Sequence, residues 1–276
     1  MDITATASEL VMLGVALLGA GAIAGVLAGM FGIGGGAVIV PVLVEFLAIL
    51  RVDEDVQMHL AVGTSLGIIV PTSIRSFRAH LKRGVVDKRL LRSWLIPVPL
   101  GVAAASLYAA GASGETLKIV FAVMALTLGL RMLVGFDRLR LGSDLPGQPW
   151  RTLVGATVGF LSALMGIGGG VINNTFMTLF GRPIHQAVAT SAGVGALIAI
   201  PGVVGYIAAG WGAAGLPPFS VGYVNLLGVA LVIPVTMLTA PLGARLAHAM
   251  TKRHLEAGFG LFLLLVAARF IAGFLG

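Results

Sequence analysis

The sequence predicts an all-α integral membrane protein of two inverted five-segment repeats, each opening with a glycine-turned (re-entrant or broken) helical hairpin followed by three transmembrane helices. Three observations carry that expectation. Of 276 residues, 58% are hydrophobic and 11% charged, whereas soluble domains need roughly 25% charged residues. Apolar blocks recur at 10–31, 36–50, 58–77, 93–111, 116–135, 151–167, 171–181, 187–209, 222–244 and 255–275, most of them near the roughly 20 residues that cross a bilayer core. Several short motifs also occur twice, in the same order.

The first block, 10–31, follows Asp2 and Glu9 with no Lys or Arg before it. It lacks the basic start of a removable signal and is expected to be a membrane segment. Blocks 36–50 and 171–181 are short for a crossing, and each follows a glycine cluster. Short, glycine-interrupted segments at matching places in two halves point to a transporter's binding site.

The duplication is carried by four matches. Gly32-Ile33-Gly34-Gly35-Gly36 returns as Gly166-Ile167-Gly168-Gly169-Gly170, and His59-Leu60-Ala61-Val62-Gly63-Thr64-Ser65 as His185-Gln186-Ala187-Val188-Ala189-Thr190-Ser191. Pro99-Leu100-Gly101 is echoed by Pro241-Leu242-Gly243, and Leu117, Phe121 and Arg131 by Leu255, Phe259 and Arg269. The polar stretch from Asp137 to Gln148 separates the copies. The expected organisation is a first repeat over 1–136, a cytoplasmic linker over 137–150 and a second repeat over 151–276.

Orientation follows from Lys and Arg in short loops. The loop from Arg78 to Arg92, with Lys82, Arg83, Lys88 and Arg89, is placed inside. So are the linker, with Arg138, Arg140 and Arg151, and the last loop, with Arg245, Lys252 and Arg253. Asp53-Glu54-Asp55, the Gly111–Glu115 turn and the uncharged 211–220 stretch fall outside. The glycine turns then enter from opposite faces, and an odd number of segments per copy makes the copies inverted. The net charge of +7 is thus an orientation signal between apolar blocks, and no nucleic acid is expected as a partner.

Both outgoing half-helices start just after their glycines. Irregular backbone is tolerated inside a bilayer only where it is buried in protein or lines a cavity. A helix start carries free N–H groups and about half a positive charge, so two starts converging at mid-membrane make an anion site. Gly34, Gly35, Gly36, Gly168, Gly169 and Gly170 are therefore candidate site residues, with close helix packing as the plainer alternative. The hydroxyls of Thr64, Ser65, Thr190 and Ser191 could donate to an oxyanion or serve the helices themselves. Asn173 and Asn174 stand where the first copy has Ile39 and Val40, which makes them candidate ligand contacts, Asn173 foremost.

His59, His185 and Arg75 are candidate gating or proton-linked residues. Their plainer readings are interfacial helix starts and a snorkelling cation. Arg131 and Arg269 read as interfacial anchors. Glu45 is the one carboxylate inside an apolar block beyond its first two residues, which argues against a cation as cargo. With no cysteine, nucleotide loop, paired catalytic carboxylates or metal-ligand spacing, no enzyme activity, cofactor or metal is expected.

The paired Gly-Ile-Gly-Gly-Gly turns, the Ala-Val-x-Thr-Ser helix starts and the Arg83-Gly84-Val85-Val86-Asp87 loop resemble the TauE/SafE family of sulfite exporters and sulfonate permeases over residues 15–274. The resemblance implies an inner (plasma) membrane, multi-pass transporter of a small sulfur-containing anion such as sulfite or an organosulfonate like sulfoacetate. Membrane lipids would surround it, and a homo-oligomer is compatible with it. It attaches the glycine turns and Thr-Ser pairs to the site. Ala189 in place of Gly63, and Asn173-Asn174 where such sequences more often have a hydrophobic residue and proline, are departures. An hourglass anion channel and a helix-packing scaffold are the rival readings.

Overall fold

The computed structural model describes residues 15, 18–19, 21–27, 29–30, 35–134 and 140–275. After a helical stretch through 21–27 come α1 (Gly36–Ile49), α2 (Glu54–Lys82), α3 (Lys88–Ser93), α4 (Pro97–Gly111), α5 (Gly114–Val134), α6 (Trp150–Leu164), α7 (Gly170–Leu179) and α8 (Ile184–Ala209). A hairpin of β1 (Ser220–Val221) and β2 (Val224–Asn225) leads into α9 (Leu226–Ala249) and α10 (Lys252–Leu275). Among the described residues, α2, α5, α8, α9 and α10 are long and apolar enough to cross a membrane.

The half-helices are short, as expected: α1 has 14 residues and α7 has 10. Each starts at a glycine in the left-handed region, Gly35 at φ 77° and Gly169 at φ 69°, a conformation only glycine adopts freely. The apolar block 58–77 is extended at both ends into the 29-residue α2. Asp53 accepts the Asp55 amide, Glu54 and Asp55 occupy the first turn, and His80 and Lys82 the last. Charges so placed oppose the helix dipole and lengthen the helix beyond its hydrophobic part.

The start of one apolar block differs from its expected bounds. The first residues of block 222–244 belong to the small antiparallel hairpin, because Gly222 sits at φ 53° and its neighbours are pinned from outside the helix. The Tyr223 amide donates to the Tyr206 carbonyl at 3.1 Å. A Cβ on Gly222 would overlap the Ile207 carbonyl, and one on Gly63 the Tyr223 carbonyl. That last contact explains why position 63 is glycine.

The long helices α2 and α8 run antiparallel through the centre, Leu66 packing on Gly202, Ser73 on Gly195 and Phe77 on Gly193. Two further pairs are held by glycines so close that no side chain fits. In α4 and α6, Gly155 lies on Trp94, Gly159 on the Val98 carbonyl and Gly101 on the Ala156 carbonyl. In α9 and the stretch near the amino terminus, Gly25 lies on Thr236, Gly29 on the Ala240 carbonyl and Gly243 on the Val26 carbonyl. In both pairs the helices are parallel and belong to different halves of the chain. Helices α5 and α10 are antiparallel: a Cβ on Gly129 or Gly260 would lie 2.9 Å from the other's carbonyl oxygen. Such backbone approach is how helices associate where lipid removes the hydrophobic drive.

Gly258 on α10 has open space where its Cβ would be. Gly258→Ala should therefore raise the melting temperature of the detergent-solubilised protein slightly, by relieving glycine's cost of roughly 1 kcal/mol in a helix. Gly159→Ala should lower it, since the methyl meets the Val98 backbone, which cannot move aside without separating α4 from α6. Equal responses would contradict this packing.

Candidate functional site

The two glycine turns meet. A Cβ on Gly36 would overlap the Gly166 carbonyl oxygen and lie 2.9 Å from Ile167 Cα and 3.0 Å from Ile69 Cδ1. Ser65 Oγ donates to the same Gly166 carbonyl at 2.7 Å, satisfying it where the chain has left helical geometry. Gly166 itself sits at φ 64°, with its Cβ position 3.0 Å from Val62 Cα. Gly168 lies by Gly195 of α8, and Gly169 against Ile198 and Val194. Gly35, Gly36 and the whole run 166–170 are buried, so these bends face protein. Gly34 lies outside the described residues. Ile69, which the turns touch, is near the middle of α2; at 1.5 Å per residue it lies about 20 Å from either end.

The start of α7 is uncapped by any side chain. The Asn173 amide donates to the Gly169 carbonyl at 2.9 Å, but no backbone carbonyl among the described residues receives the amides of Gly170, Val171 and Ile172. Those N–H groups are the free donors of a helix start. One turn further on, a polar chain crosses to α8: Asn173 Nδ2 donates to Ser191 Oγ at 2.6 Å, and Ser191 Oγ donates to Asn174 Oδ1 at 2.7 Å. Ser191 is thus joined to both asparagines, and Asn173 is fully buried.

The two threonines have another employment, each holding a loop from the other half. Thr64 Oγ1 accepts the Asn225 amide at 2.9 Å, and Asn225 Oδ1 caps the next helix by accepting the Gly228 amide at 2.8 Å. Thr190 Oγ1 accepts the Asp87 amide at 2.9 Å, and Asp87 Oδ1 caps α3 through the Leu90 amide at 2.9 Å. Asp87 closes the basic loop singled out in the sequence. Asn225 drew no attention there, although an Asx residue three positions before a helical amide was a capping signal in both halves. Thr64 and Thr190 lie toward opposite ends of the central helix pair and turn their hydroxyls to these loops.

The histidines differ. His59 is 3% exposed, with Nδ1 2.9 Å from the Asp55 carbonyl and Nε2 2.9 Å from the Ala109 carbonyl. Its ring packs 4.6 Å from that of Tyr223. It thereby ties the start of α2 to the end of α4 instead of sitting at a surface. His185 is exposed, as is Arg75, and neither joins the buried cluster. Arg131 and Arg269 are clasps as well as anchors: Arg131 donates to Thr175 on α7, and Arg269 Nε lies 3.0 Å from Glu45 Oε1 on α1. The last helix of each half thus grips the half-helix of the other. Ser162, which the sequence reading passed over in its apolar run, is fully buried with its Oγ 3.4 Å from the Gly169 Cβ position.

Buried broken helices inside a bundle of apolar, membrane-length helices make this a multi-pass membrane protein. The profile of the sulfite exporter TauE/SafE family matches residues 17–270, and the chain belongs to that family. A probable membrane transporter protein of Haemophilus influenzae is 35% identical over 90% of this chain and 94% of its own length. Probable membrane transporter proteins of Methanocaldococcus jannaschii and Bacillus subtilis are 28% and 26% identical, covering 89% and 91% of this chain and 93% and 94% of their own. No solved structure matches. The protein is therefore a multi-pass membrane transporter and not an enzyme.

If Thr64 and Thr190 serve as locks, Thr64→Val and Thr190→Val should each destabilise the protein by about 1–3 kcal/mol, the cost of stranding a buried amide. Thr→Ser at either site keeps the acceptor and should recover most of that. Thermal unfolding of the four variants in detergent checks it; valine variants as stable as the parent would exclude the locks.

Proposed function

We propose that this transporter carries a small sulfur-containing anion, sulfite or a sulfonate such as sulfoacetate, across the inner (plasma) membrane by alternating access. The anion binds at mid-membrane between the turns around Gly34–Gly36 and Gly168–Gly170, in reach of Asn173 and Ser191. One observation carries the reading: the turns abut, Gly36 on the Gly166 carbonyl, at the middle of α2 and inside protein. The uncapped start of α7 there offers amides and a positive partial charge to an anion. Pairing of Glu45 with Arg269 leaves that carboxylate unsuited to a cation.

In this reading residues 1–136 and 151–276 are inverted repeats joined by a cytoplasmic linker at 137–150, with the Arg78–Arg92 loop inside. The support is the matched cross-half contacts: the glycine-packed parallel pairs, the two threonine locks and the antiparallel α2 and α8. Movement of one helix group against the other would open the site to alternate faces. The burial of every described glycine in both turns favours an occluding carrier over the continuous pore of an hourglass channel.

Purified protein in proteoliposomes should take up labelled sulfite with saturation and counterflow. Gly36→Ala and Gly169→Ala, which displace the turns, should slow uptake by roughly 100-fold, the scale of a 1 Å misplacement at a binding centre. Size-exclusion profiles identify variants that remain folded. Unchanged uptake in folded variants would remove the turns from the mechanism, and flux without counterflow would favour the channel.

A further inference from the structure

The geometry points to Ser162 and Asn173 as a ligand-facing pair that selects anions bearing their own hydrogen-bond donor. The inference rests on the proposed anion site and adds its specificity. Ser162 Oγ and Asn173 Oδ1 are buried and have no hydrogen-bond partner among the described residues. Both residues are 0% exposed. Buried polar atoms are ordinarily paired, so two orphans on residues beside one glycine turn call for a ligand. They flank the same glycine: Ser162 Oγ is 3.4 Å from the Gly169 Cβ position, and the Asn173 amide is bonded to the Gly169 carbonyl at 2.9 Å.

The Asn173 side chain is held in one sense. Its Nδ2 faces Ser191 Oγ at 2.6 Å and Met177 Sδ at 3.5 Å. The serine has given its proton to Asn174 Oδ1, and a thioether sulfur can accept but not donate. Both neighbours therefore demand N–H, which leaves Oδ1 on the other side as a fixed acceptor. A carbonyl oxygen beside an anion repels it unless the ligand brings an O–H or N–H. The free amides of Gly170–Ile172 and the Ser162 hydroxyl supply donors to sulfonyl oxygens. The complement of such a site is a sulfonate with a hydroxyl or ammonium group next to its charged head; an oxyanion with acceptors alone leaves Asn173 Oδ1 stranded. In the first half the position corresponding to Asn173 is the buried Ile39, so this acceptor is built into one half only.

Two probes differ by one hydroxyl: 2-hydroxyethanesulfonate and ethanesulfonate. Calorimetric titration of the full-length protein in detergent should find the hydroxyl-bearing compound bound at least about tenfold tighter, since a site made to bond a hydroxyl rejects the analogue lacking it. Asn173→Leu should pull that ratio below about threefold, whereas Ser162→Ala, which removes a donor to the sulfonyl oxygens, should weaken both probes about fivefold or more and leave the ratio in place. Equal binding of the two probes by the parent protein overturns the selectivity while the anion site stands. A ratio undiminished in folded Asn173→Leu, or unchanged affinity for both probes in folded Ser162→Ala, overturns the assignment to this pair. Binding of neither probe removes the pair together with the anion site.

Discussion

A bilayer supplies no hydrogen bonds, so a helix that stops halfway must find protein partners for its exposed backbone. Everything in this chain is arranged around that requirement. The breaks before α1 and α7 are placed against each other, glycine on carbonyl, and are then covered by α2 and α8. Ser65 reaches across to the Gly166 carbonyl, so one irregular oxygen is satisfied by a side chain from the covering helix. The amides opening α7 are left over, and they lie deep in the protein. These amides are what the proposed anion would meet.

The covering helices are themselves held by crossed contacts. Each threonine lock fixes a loop of one half to a long helix of the other, and each terminal arginine grips the opposite half-helix. The glycine-packed pairs do the same with backbone surfaces. Neither half can therefore close its core alone. The linker is also docked, through the Leu141 amide on the Leu179 carbonyl at 2.8 Å and Asp144 paired with Arg182 at 2.5 Å. In the proposed cycle the moving groups of helices would then be drawn from both halves.

The same polar residue types proved unequal as guides. The glycine clusters were legible because they break an apolar block, and their recurrence excludes accident. Thr64, Ser65, Thr190 and Ser191 were legible as a motif but not as roles, since a hydroxyl both donates and accepts and only its neighbours decide. Two of them hold loops, one supports a turn and one joins the asparagines. His59 and His185 match in sequence, yet one is enclosed between two carbonyls and the other is exposed. Ser162 carried no signal at all, being a single small polar residue in a run where serine often satisfies its own helix.

Composition and periodicity by themselves settled the membrane environment, the broken half-helices and most crossing segments, because each depends on local hydrophobicity or on a backbone conformation that glycine alone permits. The apposition of the two turns, the exchange of contacts between halves and the direction of the Asn173 amide were decided only in three dimensions. They join residues from 44 to 224 positions apart, or depend on which atom of a side chain faces which neighbour, and no local pattern encodes either.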